Sequence, residues 1–345
     1  MSSHRHALTT GTLYALAAGL MWGLVFVVPT MLAAYPAVLL TMGRYLAFGL
    51  IALPLAWWDR RRLAELTRAD WVEAAKLAAV GNVLYYLCLA AAIQRAGGPL
   101  PTMIIGTLPV VIAVSANLRR SAPGQKQEGR LPWLRMWPSL LLIAAGLACV
   151  NHAETTQLPA DTDLTRYALG ALLAVAAVAC WTWYPLRNAE WLRAHADRSP
   201  RAWATAQGLA TLPMALVGYA LFWAWSALQA LPAGGEAAAA LGPSFPMPFG
   251  PQPMLFISLM LAIGLFASWL GTLCWNEASQ RLPPALAGQL IVFETLAALG
   301  YAYLLRAAWP SWVTGAGVVL LVAGVVIALR VRPIPHGTAG LSAAE

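Results

Sequence analysis

Glu294 stands near the middle of the run 283–305, PPALAGQLIVFETLAALGYAYLL, and no other residue in that run is charged. At 1.5 Å per helical residue it lies roughly 15 Å from either end, the midplane of a hydrocarbon layer about 30 Å thick. A charge at that depth is costly, so such an acid faces a cavity, pairs with another group, or exchanges a proton. The chemistry open to it is proton uptake, cation binding, or acceptance of hydrogen bonds from a substrate amine; its alternative is a structural bond that locks helices together. Arg44 is the opposite charge in a comparable place, about eight residues and roughly 12 Å into the apolar run 36–58. Its guanidinium could hold a substrate carboxylate, pair with Glu294, or bond backbone carbonyls.

Aromatic and amide residues recur at helical spacing around these two. Trp22 and Phe26 share one face, as do Trp181, Tyr184 and Asn188. Asn82, Tyr85 and Tyr86 cluster together, and Ser268, Thr272, Trp275 and Ser279 line another face with Asn276 beside them. A pocket walled this way suits amphipathic or aromatic solutes, although the same residue types also fill helix packing and interfacial belts. Spacing puts Ala287, Leu290, Ile291, Ala298 and Tyr301 on the face of Glu294. The candidate substrate-binding set is Glu294, Arg44, Trp22, Asn82, Tyr85, Tyr86, Trp181, Tyr184, Thr272, Trp275, Asn276 and Tyr301. Pro29, Pro109 and Pro185, which remove backbone hydrogen bonds inside apolar runs, are candidate helix breaks for gating; Pro54 and Pro213 read as structural kinks.

The elements that must position these groups are transmembrane helices. Of 345 residues 60% are hydrophobic and only 10% charged, far outside soluble composition. Hydropathy yields ten spans, at 11–34, 36–58, 71–94, 99–118, 133–150, 166–187, 202–228, 253–279, 283–305 and 309–330. The net charge of +8 does not point to nucleic acid, because the basic residues fall in short clusters between apolar runs. Arg60, Arg61, Arg62 and Arg68, then Arg119, Arg120, Lys126 and Arg130, then Arg193, Arg198 and Arg201 occupy alternate loops. The intervening loops are poor in Lys and Arg, and 151–165 is acidic with Glu154, Asp161 and Asp163. That alternation places both termini in the cytoplasm. The expected layout is a cytoplasmic segment 1–10, a first unit 11–150, an extracytoplasmic connector 151–165, a second unit 166–330 and a cytoplasmic tail 331–345.

The four cysteines, Cys88, Cys149, Cys180 and Cys274, lie in or at the edge of apolar runs with no CxxC spacing, and read as free thiols. No metal site and no cofactor is expected. No P-loop is present to power a pump, and no HExxH, GxSxG or paired intramembrane aspartates suggest an enzyme. His152 beside Asn151 and Glu154 has no nucleophile in reach along the sequence.

The chain repeats itself. A shift of 159 lays GLIALPLA at 49–56 on GLATLPMA at 208–215, five of eight positions identical, and Trp22 on Trp181. A shift of 186 lays Leu87-Cys88 on Leu273-Cys274 and Gln94-Arg95 on Gln280-Arg281; 185 sets Pro109 against Glu294; 178 sets Gly146 on Gly324. Span order is kept, so the reading is a 5+5 duplication, and since five is odd the copies are inverted.

The layout, with Arg44-Tyr45 in span two, Arg281-Leu282-Pro283-Pro284 leading into Phe293-Glu294, and Gly317 with Gly324, resembles the drug/metabolite transporter superfamily in its EamA-like branch, over nearly the whole chain. Thr295 departs from the family's usual proline, and Leu305-Arg306 from its usual Gly-Glu. The resemblance implies an all-α integral protein of the bacterial inner membrane that exports small organic solutes, amino-acid-like metabolites or drug-like compounds. The cavity would be lined by spans one, three, four, six, eight and nine, and partners would be a small-molecule substrate and membrane lipids. Protons are a candidate coupling ion, and a facilitator or exchanger fits the same residues. A non-transporting scaffold or receptor is the main alternative, an intramembrane enzyme the lesser one. The sequence leaves oligomeric state open.

Overall fold

The structure, a computed structural model, describes residues 2–96, 99–118, 133–155, 163–230, 245–307 and 309–330. The basic cluster Arg119, Arg120, Lys126 and Arg130, the acidic Asp161, the loop 231–244 with Glu236, and the tail 331–345 lie outside the described residues.

Among the described residues all regular structure is helical. The order is α1 (Ser2–Trp22), α2 (Leu24–Met31), α3 (Ala37–Trp58), the single turn α4 (Arg60–Leu63), α5 (Arg68–Lys76) and α6 (Tyr85–Ala96). It continues with α7 (Pro99–Gly106), α8 (Leu108–Leu118), α9 (Trp133–Thr155), α10 (Leu164–Ala194) and α11 (Pro200–Ala230). Then come α12 (Pro253–Ile263), α13 (Gly271–Arg281), α14 (Pro284–Leu290), α15 (Val292–Arg306) and α16 (Trp312–Arg330). Seven helical columns are long and apolar enough to cross a membrane: His6–Met31, Ala37–Trp58, Arg68–Ala96, Leu164–Ala194, Pro200–Gln229, Pro253–Arg281 and Leu286–Leu305. Leu100–Ile112, Leu134–Cys149 and Trp312–Gly324 are shorter apolar helices. Trp57, Trp58 and Trp309 are exposed at helix ends, where an interfacial belt would sit.

Several columns are interrupted. Between α5 and α6 the backbone runs as a wide π-type turn over Leu77–Leu84, and between α12 and α13 over Gly264–Leu270. At an offset of 186 residues the second falls on the first, the same offset that aligns Gln94-Arg95 with Gln280-Arg281. The breaks between α7 and α8 and between α14 and α15 match as well. Pro99 and Pro284 open α7 and α14, and each break is a tight i→i−3 turn. Thr107 N–H donates to the Ile104 carbonyl and Val110 N–H to that of Thr107; Ile291 N–H donates to Gly288 and Glu294 N–H to Ile291. Pro109 explains the first break, since it has no N–H to continue the helix. The second contains no proline, and span nine, expected as one continuous helix, is two. The helical face projected through Ala287, Leu290 and Ile291 to Glu294 therefore loses its phase at Ile291.

Two seams pack reciprocally. A β-carbon on Gly146 of α9 would stand 2.7 Å from the Gly317 carbonyl oxygen and 2.8 Å from Leu321 Cγ, and one on Gly324 of α16 would stand 3.0 Å from the Ser139 carbonyl and 2.7 Å from Ile143. Advancing Ser139, Ile143 and Gly146 by 178 gives Gly317, Leu321 and Gly324. Each helix thus meets the other with corresponding residues, antiparallel, through glycines that let the backbones approach. Gly49 of α3 against Leu212, and Gly208 of α11 against Phe48 and Ala52, repeat the relation in looser form.

Charge is gathered at one end of the bundle. Arg201 bonds Asp59 through two nitrogens, Arg187 holds Glu73 in a two-pronged pair, and Arg198 pairs with Glu65 at 3.0 Å. Asp70 caps α5 in a capping box with Thr67 and accepts the Trp191 indole N–H at 3.0 Å. Two of the predicted basic loops, those at 60–68 and 193–201, thus meet at a common face. At the other end, Tyr35 bridges the 245–252 segment: its hydroxyl donates to the Phe249 carbonyl at 2.9 Å and accepts from Gln252 N–H at 2.8 Å, while Gln94 donates to the Tyr35 carbonyl.

Candidate functional site

Arg44 is fixed on α3 with 4% of its surface exposed. Its Nε donates to Ser268 Oγ at 3.0 Å and Nη2 to the Ala267 carbonyl at 3.3 Å, both within the second wide turn. The guanidinium lies 4.5 Å from the centre of the Tyr86 ring and 5.1 Å from that of Tyr45, which stabilises a cation removed from water. Its remaining nitrogen, Nη1, has no partner.

Glu294, 2% exposed, sits in the first turn of α15. The break at Ile291 puts it at the N-terminal end of a half-helix, where unpaired N–H groups and the positive end of the dipole favour a negative group. The interruption thus explains how the bundle tolerates this acid at its centre. Gly19 and Gly23 of the first column allow the close packing: β-carbons there would stand 3.0 Å from Glu294 N and 2.7 Å from Ala297 Cβ. The spacing Gly19-x3-Gly23 was the signal for this contact, and the sequence reading missed it.

Glu294 and Arg44 are within electrostatic reach, and Tyr85 lies within reach of both and of Tyr45 and Tyr86. No ion pair joins the two charges among the described residues, and Glu294 Oε2, like Arg44 Nη1, has no hydrogen-bond partner. The option of a direct Arg44–Glu294 pair is therefore corrected: Ser268 and Ala267 hold the guanidinium instead.

The structure joins five of the expected aromatics into one cluster, in which Tyr85, Trp181 and Tyr184 stack and Trp22 stands edge-on to Trp181. Tyr85 lies on Trp181 with ring centres 4.5 Å apart, Trp181 on Tyr184 at 5.0 Å, and Trp22 meets Trp181 at 4.9 Å and Trp275 at 5.3 Å. Gly81, in the first wide turn, leaves the space that the Tyr184 ring occupies. Tyr86 lies edge-on to Tyr45, and Asn82 is buried four residues before Tyr86, in the first wide turn. The hydroxyls of Tyr45, Tyr85 and Tyr86, Asn82 Nδ2, and the indole nitrogens of Trp181 and Trp275 are all buried without partners. So many unsatisfied polar atoms in one interior mark a place built for a guest or for water.

Other candidates stand apart. Asn276 receives its bonds elsewhere: it accepts from Asn188 at 2.8 Å and donates to the Pro200 carbonyl at 3.2 Å. Asn188 also accepts from Trp203 and Gln207, and Gln207 accepts from the Tyr184 hydroxyl at 2.9 Å, so this network ties α10, α11 and α13 together. Thr272 is buried against that Tyr184 hydroxyl. Tyr301 lies at the periphery, donating to the Leu20 carbonyl at 3.0 Å. Pro185 lies inside the unbroken α10 and Pro29 inside α2, after the interruption at Gly23. Tyr45, next to Arg44 in sequence, is the site residue that periodicity did not select.

A small recess is lined by Ile112, Pro185, Leu186, Ala189, Trp275, Ser279, Leu282 and Ala287, all of them buried, and Trp275 joins it to the aromatic cluster. All four cysteines are free, and no group of three or more potential metal ligands occurs among the described residues.

Broken apolar helices converging on two buried, unpaired, opposite charges define a multi-pass membrane protein, and it is one of the inner membrane. Residues 9–127 match the EamA-like transporter family. The chain is 53% identical over 324 residues to "Inner membrane protein YtfF" of Escherichia coli (strain K12), covering 94% of this chain and 96% of that protein. A solved crystal structure, 18% identical, superposes with a TM-score of 0.66 over 93% of this chain and 96% of its own, and so shares the fold. The chain belongs to the EamA-like transporter family of the drug/metabolite transporter superfamily, whose members are not enzymes.

Proposed function

We propose that this protein is a secondary transporter that exports small organic solutes, amino-acid-like or drug-like, by alternating access around a midplane site. Its body comprises two inverted five-helix units, 11–150 and 166–330, joined by the extracytoplasmic connector 151–165. The segments 1–10 and 331–345 lie in the cytoplasm with both termini. The matched wide turns, the matched breaks before Leu108 and Val292, and the reciprocal glycine seams support that architecture. Transporters of this design bind at the midplane where half-helices meet, and rock one unit against the other.

The observation that carries the reading is the pair Arg44 and Glu294, each buried with an unsatisfied atom and set against interrupted helices. Two such charges are expensive in a bundle that does nothing but span. The Arg201–Asp59 and Arg187–Glu73 pairs at the basic end and the Tyr35 ties at the other end hold both ends of the bundle together in this form. Glu294 serves as the proton-sensitive or amine-binding group.

The test is flux in proteoliposomes with a panel of amino acids and cationic drugs, with and without a pH gradient. Solute-dependent, saturable flux is expected. Folded protein that moves none of them would favour the scaffold reading. Glu294→Gln should remove the pH dependence of flux; an unchanged profile ends the case for coupling through this acid.

A further inference from the structure

The basic end of the bundle carries more positive charge than its acids can use. The segment 59–73 holds four carboxylates, and all of them are engaged: Asp59 by Arg201, Glu65 by Arg198, Glu73 by Arg187, and Asp70 by Thr67 and Trp191. Each of those three arginines comes from α10, α11 or the turn between them. The segment's own arginines are therefore left over. Arg62 donates to Ser199 Oγ at 3.3 Å, but among the described residues neither Arg60 nor Arg61 enters an ion pair, and both are exposed.

The surface leading to these two arginines is apolar. Leu50, Leu53 and Trp57 stand at i, i+3 and i+7 on α3, all exposed, and form an outward stripe along that helix. Trp58 is exposed beside them at the helix end. Indole rings in that position lie at headgroup depth. Arg60 is fastened to this border: its Nη1 donates to the Trp57 carbonyl at 3.1 Å, and its guanidinium carbon lies 5.0 Å from the centre of the Trp57 ring. One line thus runs from an apolar stripe, through interfacial indoles, to guanidinium groups with no counter-charge.

A merely solvated basic run needs no such stripe, and a soluble acidic protein would find half of this surface inside the bilayer. A phospholipid matches both halves, because its chains lie along the stripe while the phosphate meets the planar forks of two arginines. We infer that Arg60 and Arg61, with Trp57, form a binding site for an anionic phospholipid of the cytoplasmic leaflet, one acyl chain resting on Leu50 and Leu53. The bound headgroup fastens the 59–73 segment to the membrane surface and, through the pairs of Asp59, Glu65 and Glu73, the α10–α11 turn with it. The site is independent of whether the chain transports.

The purified full-length protein in mild detergent is offered an equimolar mixture of dioleoylphosphatidylglycerol and dioleoylphosphatidylcholine, which share their chains, and retained lipid is counted by native mass spectrometry. Phosphatidylglycerol is expected to be held at least about fivefold better, the factor that a single surface arginine supplies toward an anionic headgroup. Arg60→Gln combined with Arg61→Gln should remove most of that preference, and the corresponding double lysine variant should keep most of it. Arg166→Gln, at the opposite end where the side chain donates to the Gln94 carbonyl, should leave it unchanged. Millimolar inorganic phosphate should not displace the lipid, because it cannot use the stripe. Melting curves check that each variant folds, as substitution of exposed side chains predicts. Equal retention of the two lipids, which would leave the cluster to a soluble acidic partner, overturns the assignment. So does an undiminished preference in the double glutamine variant, an equal loss in Arg166→Gln, or displacement by inorganic phosphate, which would mark a site for a free anion.

Discussion

Arg44 and Glu294 are buried in the same interior, within electrostatic reach of each other, and do not touch. Arg44 is held back by Ser268 and Ala267 on one wide turn, and Glu294 is fixed at the start of a half-helix. Opposite charges left free to move would close on each other, so the interruptions are what keep these two apart.

Replacing Arg44 by Met should cost roughly 3–5 kcal/mol, because it strips Glu294 of its nearest compensating charge. Glu294→Leu combined with Arg44→Met should recover much of that loss, giving a coupling energy well above the ~0.5 kcal/mol expected of independent sites. Denaturant unfolding of the two single variants and the double variant measures it; strict additivity would mean that the two charges do not feel each other.

Two glycines should respond in opposite ways to alanine. A methyl at Gly81 would overlap the Tyr184 ring, and overpacking of this kind costs about 1–3 kcal/mol and would disturb the stack on Trp181. Gly300, on α15, has nothing within 4 Å of where a β-carbon would stand. Gly300→Ala should be neutral or stabilising by ~0.4–1 kcal/mol, since a helical alanine loses less backbone entropy on folding. Melting curves of both variants, with indole fluorescence of the first, check the pair.

At the basic end, Asp59 is buried and both its oxygens are taken by Arg201. Arg201→Ala should destabilise by about 2–3 kcal/mol by leaving a buried carboxylate unpaired, and Asp59→Asn added to it should restore a measurable part. Equal stability of the single and double variants would show that the carboxylate is relieved in some other way.

Sidedness can be read by labelling. In a background without the four native cysteines, Ala64→Cys, exposed beside Arg60, Arg61 and Arg62, should react with a membrane-impermeant maleimide from the cytoplasmic face and not from the other. Tyr35→Phe takes the hydroxyl away from Phe249 and Gln252 and should cost about 0.5–1.5 kcal/mol in denaturant unfolding. Labelling from the far side only would reverse the orientation.

The sequence alone determined the solvent and the chemical cast. Apolar runs of spanning length fix a helical membrane protein because backbone polar groups in lipid must be satisfied internally, and two of the basic loops meet at one face. Periodicity selected Trp22, Tyr85, Trp181, Tyr184 and Trp275, which the structure brings into one aromatic cluster, because a helix converts spacing directly into a shared face. Only the tertiary structure decided which polar residues are spent on the scaffold. Asn276 and Tyr301 share the chemistry of the site residues, yet a partner on another helix already satisfies each. It also decided the break at Ile291. No proline there interrupts the ladder, and the phase that spacing would carry past Leu290 fails where the backbone makes one short turn against Gly19 and Gly23. Local pattern specifies which face a side chain takes along one helix. Whether two buried charges meet or stay apart depends on where the helices are broken, and that is set by contacts between segments far apart in the chain.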